Sequence, residues 1–459
     1  MNGRHLFGRR PVEALGRDLV LVADEPAEIA PPELADHHEI KERIRAELMG
    51  RINPTAAAHM PAHQLRAEIA QIVGEIATET RVQMNEREES VLAAELVDDM
   101  VGLGPLEPLL SDSEITDILV NGPFDVYVER QGKLEKTRIR FRDATHLVNV
   151  AQRIASAIGR RIDEASPMVD ARLADGSRVN IVLPPLVLNG GCISIRKFAK
   201  RVITLDDMVE NANLSSDMAR FLEVAARARF NILVSGGTGS GKTTLLNAIS
   251  RMIDPLERIV TIEDAVELRL QQPHIVQMET RAANIEGVGA IPQRELVRNA
   301  LRMRPDRIIV GEVRGVEAFD MLQAMNTGHD GSMSTIHANA PRDALYRLEN
   351  MVMMTASNLL LRAIRMQIAS AVHLIVHIER MRDGVRRVQS ITEVVGMEGD
   401  IITMRDIFNF EYEGDTSEGM LHGAFVSNKL RPYLTRRAAL FGLERPLLDA
   451  VGVGHSDAR

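Results

Sequence analysis

A glycine-rich loop carries the clearest chemical signal in this sequence. The segment 231–235, with its apolar run at 232–234, leads into Gly-Gly-Thr-Gly-Ser-Gly-Lys-Thr at residues 236–243, which matches the P-loop pattern. Glycines let successive backbone N–H groups curl around an anion, and the start of the following helix adds positive potential. The Lys242 ammonium can reach the β- and γ-phosphates of a nucleotide, and the Thr243 hydroxyl suits Mg²⁺. The predicted phosphate-binding residues are Gly236, Gly237, Thr238, Gly239, Ser240, Gly241, Lys242, Thr243 and Thr244.

Two other interpretations of this loop fit less well. A glycine-rich turn that binds nothing does not require the lysine, the hydroxyl and the preceding apolar strand to coincide. A dinucleotide-binding fingerprint is a poor match, because Thr244 stands where its third glycine belongs. We therefore expect a nucleoside triphosphate with Mg²⁺ at this loop.

Carboxylates follow an apolar run downstream of the loop. The run 259–262 leads into Glu263, Asp264 and Glu267. Ligand sites of parallel sheets lie at such strand ends, and a carboxylate there can polarise an attacking water. The cluster alone could be a solvated strand end, but the P-loop upstream favours the functional interpretation.

A second apolar run, 308–310, is followed by Gly311 and Glu312. Many P-loop proteins have the aspartate that holds Mg²⁺ at the position of Gly311. Glu312 is therefore predicted to act on Mg²⁺ through water. Taken alone, this strand end too could be an ordinary solvated one.

Histidines accompany the next strand-like segment. His337 lies in Ser-Thr-Ile-His-Ala-Asn at residues 334–339, among small side chains and hydroxyls. An imidazole at this strand end is predicted to contact or sense the γ-phosphate. His329, in the preceding loop, fits a structural hydrogen-bonding role equally well.

Composition limits the classes of partner. The 459 residues include 55 Lys or Arg and 64 Asp or Glu, a net charge of −9, which argues against nucleic-acid binding through bulk charge. Aromatic residues make up 3% of the chain, so recognition of single strands by stacking is not expected. Cys192 is the single cysteine, and the first residues contain no apolar signal segment, so a cytosolic compartment is expected.

The first half of the chain is predicted to contain three regions. Residues 1–38 are expected to form a mobile, disordered tail, because few apolar side chains offset the entropy of ordering it. Apolar residues spaced by three and four predict a helical bundle over residues 39–104. Short β-branched runs predict a small α/β domain over residues 105–204. These runs lie at 115–120, 126–128 and 139–141.

The second half is predicted to be α/β as well. Between residues 213 and 395, apolar strand runs alternate with helical patterns, which is typical of a parallel sheet covered by helices. Residues 396–459 are predicted to be a C-terminal extension with a weak strand run at 401–404. The expected fold is therefore an α/β P-loop domain preceded by a smaller α/β domain and a helical segment.

Four motifs resemble those of the type II/type IV secretion ATPase superfamily. GGTGSGKTT, TIEDAVEL, IIVGEVR and STIHAN look like its Walker A motif, Asp box, Walker B motif and His box, in the same order. Within it, LGPLEPLLSDSEITDILVNGPFDVYVER at 103–130 and GGCISIRKF at 190–198 are similar to CpaF-like ATPases, the motors of tight-adherence (Tad/Flp) pili. The resemblance covers roughly residues 60–400.

This resemblance implies a cytoplasmic homo-hexameric ring at the inner face of the cell membrane. Each protomer would bind ATP and Mg²⁺ between its N-terminal α/β domain and a RecA-like domain. Hydrolysis would move an inner-membrane pilus platform protein, through which the motor associates peripherally with the membrane. The implied outcome is pilus assembly, with retraction left open, and no nucleic acid is involved.

The resemblance also assigns roles to residues. Lys242 and Thr243 bind phosphate and Mg²⁺, Glu312 supports Mg²⁺ and His337 senses the γ-phosphate. Glu267 is the implied general base, with Glu263 as the alternate base.

Family members also bring arginines from the N-terminal domain to the phosphates. Arg178 and Arg196 are the positions where this chain could supply them, although either could be a surface ion pair. One departure is Ala265, where many relatives have proline. The tetracysteine metal element of some relatives is excluded, because Cys192 stands alone.

Competing functions remain open at this point. A related conjugation or protein-secretion ATPase would hydrolyse ATP with the same residues but would drive a different transport apparatus. A nucleic-acid motor is disfavoured by charge and composition. A GTPase is disfavoured because Asn428 and Lys429 are followed by Leu430 and Arg431, which breaks the guanine-binding pattern.

Overall fold

The structure is a computed structural model. It describes residues 43–48, 50–51, 60, 62–80, 82, 84–130, 132–198, 202–281, 283, 288–355, 359–415 and 421–453. The predicted tail over residues 1–38 lies outside the described residues. The chain divides into two compact units, Met1–Glu107 and Pro108–Arg459.

Helices form the described part of the first unit. Residues 43–48 are helical, and α1 (Ala62–Glu79) and α2 (Glu86–Val101) follow. Their apolar stripes, spaced by three and four residues, share one buried core. The core contains Ile44, Leu48, Leu65, Ile69, Val73, Ile76, Leu92, Ala93, Leu96 and Val97. A capping box starts α2, in which Asn85 and Glu88 each accept the other's backbone N–H.

The second unit opens with a six-stranded antiparallel sheet. After the short helix α3 (Glu107–Ser111) come β1 (Ile115–Asn121), β2 (Val126–Arg130), β3 (Lys133–Lys136), α4 (Ala144–Ala157), β4 (Met168–Arg172), β5 (Arg178–Val182) and β6 (Cys192–Arg196). The strand order is β3-β2-β1-β6-β5-β4. Alternate strand residues such as Ile118, Ile181 and Ile193 are buried, so polar residues occupy the other face.

One predicted strand in this sheet is absent from the structure, and one observed strand was not predicted. Residues 139–141 do not form a strand. The Phe141 N–H donates to the Pro123 carbonyl outside any strand, and the Phe141 ring is buried. Lys133–Lys136 forms an edge strand, although all four of its residues are exposed. An exposed edge has no buried face to produce alternation, and this strand carries lysines typical of protected edges.

A nine-stranded sheet forms the rest of the second unit. Its elements are α5 (Leu205–Glu210), α6 (Ser216–Arg227), β7 (Ile232–Gly236), α7 (Lys242–Ser250), β8 (Ile259–Glu263), β9 (Ile275–Glu279), α8 (Gln293–Ala300), β10 (Arg307–Val313), α9 (Glu317–Asn326), β11 (Met333–His337), α10 (Pro341–Thr355), α11 (Leu361–Ala371), β12 (Leu374–Arg380), β13 (Arg386–Glu398), β14 (Ile401–Asp415), β15 (Leu421–Ser427), α12 (Thr435–Ala439) and α13 (Glu444–Val451). The strand order is β15-β14-β13-β12-β7-β11-β10-β8-β9.

Strand β7 lies among the parallel strands. The pairs from β12 through β7, β11, β10 and β8 to β9 are parallel, and β13, β14 and β15 add antiparallel pairs. Ile232 and Val234 of β7 belong to one apolar core, and Leu233 belongs to the other. Helices thus cover both faces, as parallel sheets require. The predicted α/β class and RecA-like arrangement are confirmed.

The sheet continues beyond the predicted end of the P-loop domain at residue 395. Strand β13 spans Arg386–Glu398 and pairs with β14 from Ser390 to Glu398. Position 396 therefore lies inside a strand, and the C-terminal extension does not begin there as a separate element. Among the described residues, no helix has both the length and the apolar character needed to span a membrane.

Candidate functional site

The predicted motifs meet at one edge of the nine-stranded sheet. Strands β7, β11, β10 and β8 are neighbours and parallel, so their carboxyl ends lie side by side. In this register His337 pairs with Gly236, and Ile336 pairs with Val313. His329 precedes the opposite, amino end of β11. The topology thus places His337, the predicted γ-phosphate contact, at the P-loop edge and puts His329 at the opposite end of the strand.

The P-loop has the backbone conformation of an anion cradle. Gly239 and Gly241 adopt left-handed conformations with φ of 70° and 95°. Helix α7 starts at Lys242, and no side chain among the described residues caps it, so its first N–H groups can serve an anion. Ser240 Oγ is buried and has no hydrogen-bond partner within the described part of the chain. These features fit phosphate.

Three side chains converge beside this cradle. Lys242 Nζ donates to the Gly237 carbonyl at 2.8 Å and lies 3.4 Å from His337 Nε2. His337 Nε2 lies 3.1 Å from Glu312 Oε1. Burial lowers the pKa of Lys242, against the opposing charges of Glu312 and Glu267. Burial and then the Lys242 charge lower the pKa of His337, which favours its neutral imidazole.

The carboxylates of the second and third motifs are joined by an arginine that sequence analysis missed. Arg314 NH2 lies 2.7 Å from Asp264 Oδ2 and 3.6 Å from Glu312 Oε2. Arg314 follows the Walker B strand, so proximity to Glu312 in sequence was its only signal. It ties the end of β10 to the loop that carries Glu267.

Glu263 is the most buried of these acids, with 3% of its surface exposed. Its Oε2 accepts the N–H groups of Glu267 and Leu268 at 2.8 and 3.0 Å, whereas its buried Oε1 has no partner among the described residues. Burial raises the pKa of Glu263 to about 7, and the two N–H bonds offset this only in part. Its carboxyl group therefore fixes the loop that follows β8.

Gly311 makes room for Glu263. A Cβ atom on Gly311 would lie 2.8 Å from Cγ of Glu263, closer than packed atoms tolerate. Thr335 Oγ1 also donates to the Gly311 carbonyl at 2.7 Å. The departure from the usual aspartate at this position thus has a steric cause in the neighbouring strand.

Glu267 occupies a different environment from Glu263. It is exposed on the loop after β8, and its charge favours the protonated forms of Lys242, where it partly opposes burial, and of Arg178. The carboxylate is therefore within electrostatic reach of the P-loop lysine. An exposed carboxylate in this place can accept a proton from water.

The residues present fit Mg²⁺ held jointly with phosphate. The described residues contain no group of three or more His, Cys, Asp or Glu side chains that could hold a metal. Thr243 lies in the first turn of α7, and Glu312 lies near the carboxyl end of β10, which is separated from β7 by β11. Mg²⁺ commonly keeps several waters and takes one or two protein ligands plus substrate phosphates, which matches this donor set.

Arg178 and Arg196 lie on the six-stranded sheet, directly opposite each other on β5 and β6. Arg178 Nε donates to Asp170 at 3.1 Å, and Arg196 Nε donates to Asp117 at 3.2 Å. The bond to Asp170 raises the pKa of Arg178, with smaller contributions from Glu267 and Asp264. Both arginines thus form the ion pairs that sequence analysis kept as the alternative, and Arg178 is near the Asp box.

Two more arginines reach the site from distant segments. Arg386 of β13 donates from Nε to the Gly239 carbonyl of the P-loop at 2.9 Å. Arg172 of β4 donates from NH2 to the Val266 carbonyl at 3.0 Å. Their partners are 147 and 94 residues away in sequence, so no local spacing could have identified them.

Comparisons with known proteins agree with the motif assignment. The profile of the family described as "Type II/IV secretion system protein" matches residues 99–399. A protein of Mycobacterium tuberculosis (strain ATCC 25618 / H37Rv), whose name provisionally assigns it to conjugal transfer, is 42% identical over 309 residues, 66% of this chain and 87% of the relative. The type IV secretion system protein PtlH of Bordetella pertussis is 37% identical over 310 residues, 62% of this chain and 91% of PtlH.

Among solved structures, the VirB11 ATPase from the Brucella suis type IV secretion system is similar to this chain. It is 30% identical, with 62% of this chain and 94% of VirB11 covered and a TM-score of 0.34. The family profile extends over well more than half of the sequence. This chain belongs to the type II/IV secretion system protein family.

Proposed function

We propose that this chain is a motor ATPase that hydrolyses ATP in the presence of Mg²⁺. The observation that carries the proposal is the convergence of three side chains beside the P-loop: His337 Nε2 lies 3.4 Å from Lys242 Nζ and 3.1 Å from Glu312 Oε1. The left-handed glycines and the uncapped start of α7, as far as the structure describes its surroundings, support phosphate binding there.

Each residue at the site has a proposed part in hydrolysis. The P-loop N–H groups and Lys242 hold the β- and γ-phosphates. Glu267 takes the proton of the attacking water, with Glu263 as the alternate base. His337 contacts the γ-phosphate and relays its presence to Glu312. Thr243 and, through water, Glu312 would hold Mg²⁺, which would supply positive charge to the phosphate oxygens.

Arg178 and Arg196 are proposed to stabilise the charge that develops on the transferred phosphoryl group. In this chain both pair with aspartates on their own sheet. We propose that protomers assemble as a homo-hexamer and that the arginines exchange these partners for phosphate during the cycle. The charges of Glu267 and Asp264 act on Arg178, so this arginine already lies near the Asp box.

The machine that we propose is a Tad/Flp-type pilus. Segments 103–130 and 190–198, which resemble CpaF-like motors, support this choice. The motor would act from the cytoplasmic side on an inner-membrane platform protein and associate with the membrane through it. Assembly is the proposed output, and the same motor is a candidate for retraction. Nucleic acid is not a proposed partner.

A second candidate is a conjugation or protein-secretion ATPase. The relatives named for conjugal transfer and type IV secretion favour it. Deletion of the gene in the source cell separates the two candidates. Loss of surface pili with normal DNA and protein transfer supports the pilus motor, whereas loss of transfer with normal pili supports the second candidate.

The test of the ATPase proposal is phosphate release per chain, measured against chain concentration at fixed ATP and Mg²⁺. For the wild type, phosphate release per chain is expected to rise with chain concentration and then saturate, because a ring completes its sites across subunits. Lys242→Ala is expected to lower turnover by about 10²- to 10³-fold. Lys133→Ala, an exposed lysine on β3, is the matched control. Full turnover by Lys242→Ala, with an intact fold, would contradict the site.

A further inference from the structure

The loop that carries Glu267 is held by side chains from several elements. Glu263 accepts the N–H groups of Glu267 and Leu268. From helix α7, Asn247 Oδ1 accepts the N–H of Arg269 at 2.8 Å. These partners belong to the RecA-like part of the chain and fix one side of the loop.

Arg172 holds the same loop from the six-stranded sheet. Its NH2 donates to the Val266 carbonyl at 3.0 Å, and its NH1 lies 3.1 Å from Glu279 Oε2 at the end of β9. Its Nε donates to the Gly176 carbonyl at 3.2 Å, within the β4–β5 turn. The guanidinium fork thus spans acceptors on both sheets, a geometry that a lysine ammonium does not reproduce.

The two sets of contacts meet on a single peptide plane. The peptide between Val266 and Glu267 presents its N–H to Glu263 Oε2 at 2.8 Å and its carbonyl to Arg172 NH2 at 3.0 Å. Rotation of this plane would change the backbone angle at Glu267 and turn its side chain. Arg172 and Glu263 therefore clamp the plane from opposite sides.

Phe198 reinforces the clamp. Its ring centroid lies 5.6 Å from the Arg172 guanidinium carbon and 3.7 Å from that of Arg269. Such cation–π contacts restrain both arginines. Gly176, with φ of 91°, permits this packing, since a Cβ atom there would lie 3.1 Å from the Phe198 ring. Phe198 follows β6, so this contact also links the two sheets.

We propose that Arg172 is a positioning residue for Glu267, which sets the orientation of the 266–267 peptide and relays the position of the six-stranded sheet to the nucleotide site. The inference rests on the proposed function, in which Glu267 is the general base. Arg172 touches neither nucleotide nor water in this role. It acts through the backbone of the loop and through its stack on Phe198.

The first test is Arg172→Gln, with separate measurement of kcat, KM and nucleotide affinity. We expect kcat to fall about 10- to 100-fold, because small displacements of a catalytic group have effects of this size, while nucleotide affinity changes less than about threefold. Arg161→Gln is the matched control, because Arg161 is an exposed arginine of the same domain that pairs with Asp163. Unchanged kcat in Arg172→Gln, or an equal loss of affinity, would overturn the proposal.

A double variant tests whether Arg172 acts through Glu267. In the Glu267→Gln background, Arg172→Gln is expected to lower kcat no further, because the positioned group is already gone. If instead the double variant lost the product of the two single-variant decreases in kcat, Arg172 would act independently of Glu267, which would contradict the positioning role. If the Arg172 variant does not fold, Phe198→Leu removes the ring and keeps the hydrogen bonds, and a smaller loss of kcat, about 3- to 10-fold, is expected. Wild-type kcat in this variant would overturn the role of the stack.

Failure of this inference is distinguishable from failure of the proposed function. If substitution of Lys242 or Glu267 lowers turnover but substitution of Arg172 does not, only the positioning role of Arg172 is contradicted. If the wild type shows no turnover, or if substitution of Lys242 leaves turnover unchanged, the ATPase proposal itself is contradicted.

Discussion

The two sheets of the second unit use charge differently. On the open face of the six-stranded sheet, acids and arginines pair across neighbouring strands, as in Asp117 with Arg196 and Asp170 with Arg178. At the carboxyl edge of the nine-stranded sheet, Lys242, Glu263 and His337 are partly or fully buried, and burial is the largest cause of each pKa shift.

The difference follows from strand geometry. A sheet face spaces side chains so that each charge can meet an opposite charge near solvent. The carboxyl ends of parallel strands instead bring chemically unlike groups together beneath covering helices, where desolvation shifts their pKa values. Perturbed groups gathered in this way are typical of functional sites, whereas paired surface charges contribute little to stability.

Glu267→Gln is the substitution that we expect to change hydrolysis most. If the strand-end acids perform the chemistry, kcat should fall by about 10²- to 10⁴-fold, because the variant removes the proposed general base and keeps the side-chain shape. Nucleotide affinity should be retained. Phosphate release and binding of a fluorescent ATP analogue measure the two quantities.

Glu135→Gln is the control on the other sheet, since Glu135 is exposed on β3 and should leave kcat unchanged. Wild-type kcat in Glu267→Gln, together with a large loss in Glu263→Gln, would move the base to Glu263.

The free energy of unfolding should depend on pH through the carboxyl group of Glu263. Its pKa rises from 4.5 to about 7 on folding, so between these values the folded state binds a proton that the unfolded state has released. The stabilising contribution is therefore complete below the unfolded pKa and is lost as pH rises through about 7. The loss amounts to about 3 kcal/mol by pH 8.

Glu263→Gln should remove this dependence, because an amide oxygen can accept the same two N–H bonds without titrating. Urea unfolding at pH 5, 6, 7 and 8 measures the difference between wild type and variant. Parallel curves for the two proteins would mean that Glu263 is ionised throughout in the folded state.

The sequence predicted the strand-end site better than the contacts between sheets. The P-loop is a local arrangement of strand, loop and helix, so residues 231–244 define it without long-range information. The His box and Walker B strand end were predictable because parallel neighbours align their carboxyl ends. Arg172 was not predictable, because its acceptors Val266 and Glu279 lie 94 and 107 residues away.

The prediction of strands from the sequence was limited in the same way, by dependence on residues that are distant in the chain. Strands such as Ile259–Glu263 are buried along their whole length and consist largely of apolar residues, so they are easily recognised. The long strands β13 and β14 mix exposed and buried residues irregularly over 13 and 15 residues, so only the short run 401–404 was recognised. Their pairing depends on neighbours along the sheet and on two register shifts between β13 and β14, which periodicity does not reveal.

The smallest expected effect tests the paired charges of the six-stranded sheet. Asp117→Asn removes the partner of Arg196, whose side chain is 62% exposed. Because water screens such pairs, the free energy of unfolding should change by less than about 0.5 kcal/mol. Hydrolysis should persist, since the proposed role of Arg196 requires it to leave Asp117. Urea unfolding and phosphate release measure the two outcomes. Destabilisation of more than about 2 kcal/mol would give the pair a structural role, beyond what exposed ion pairs supply.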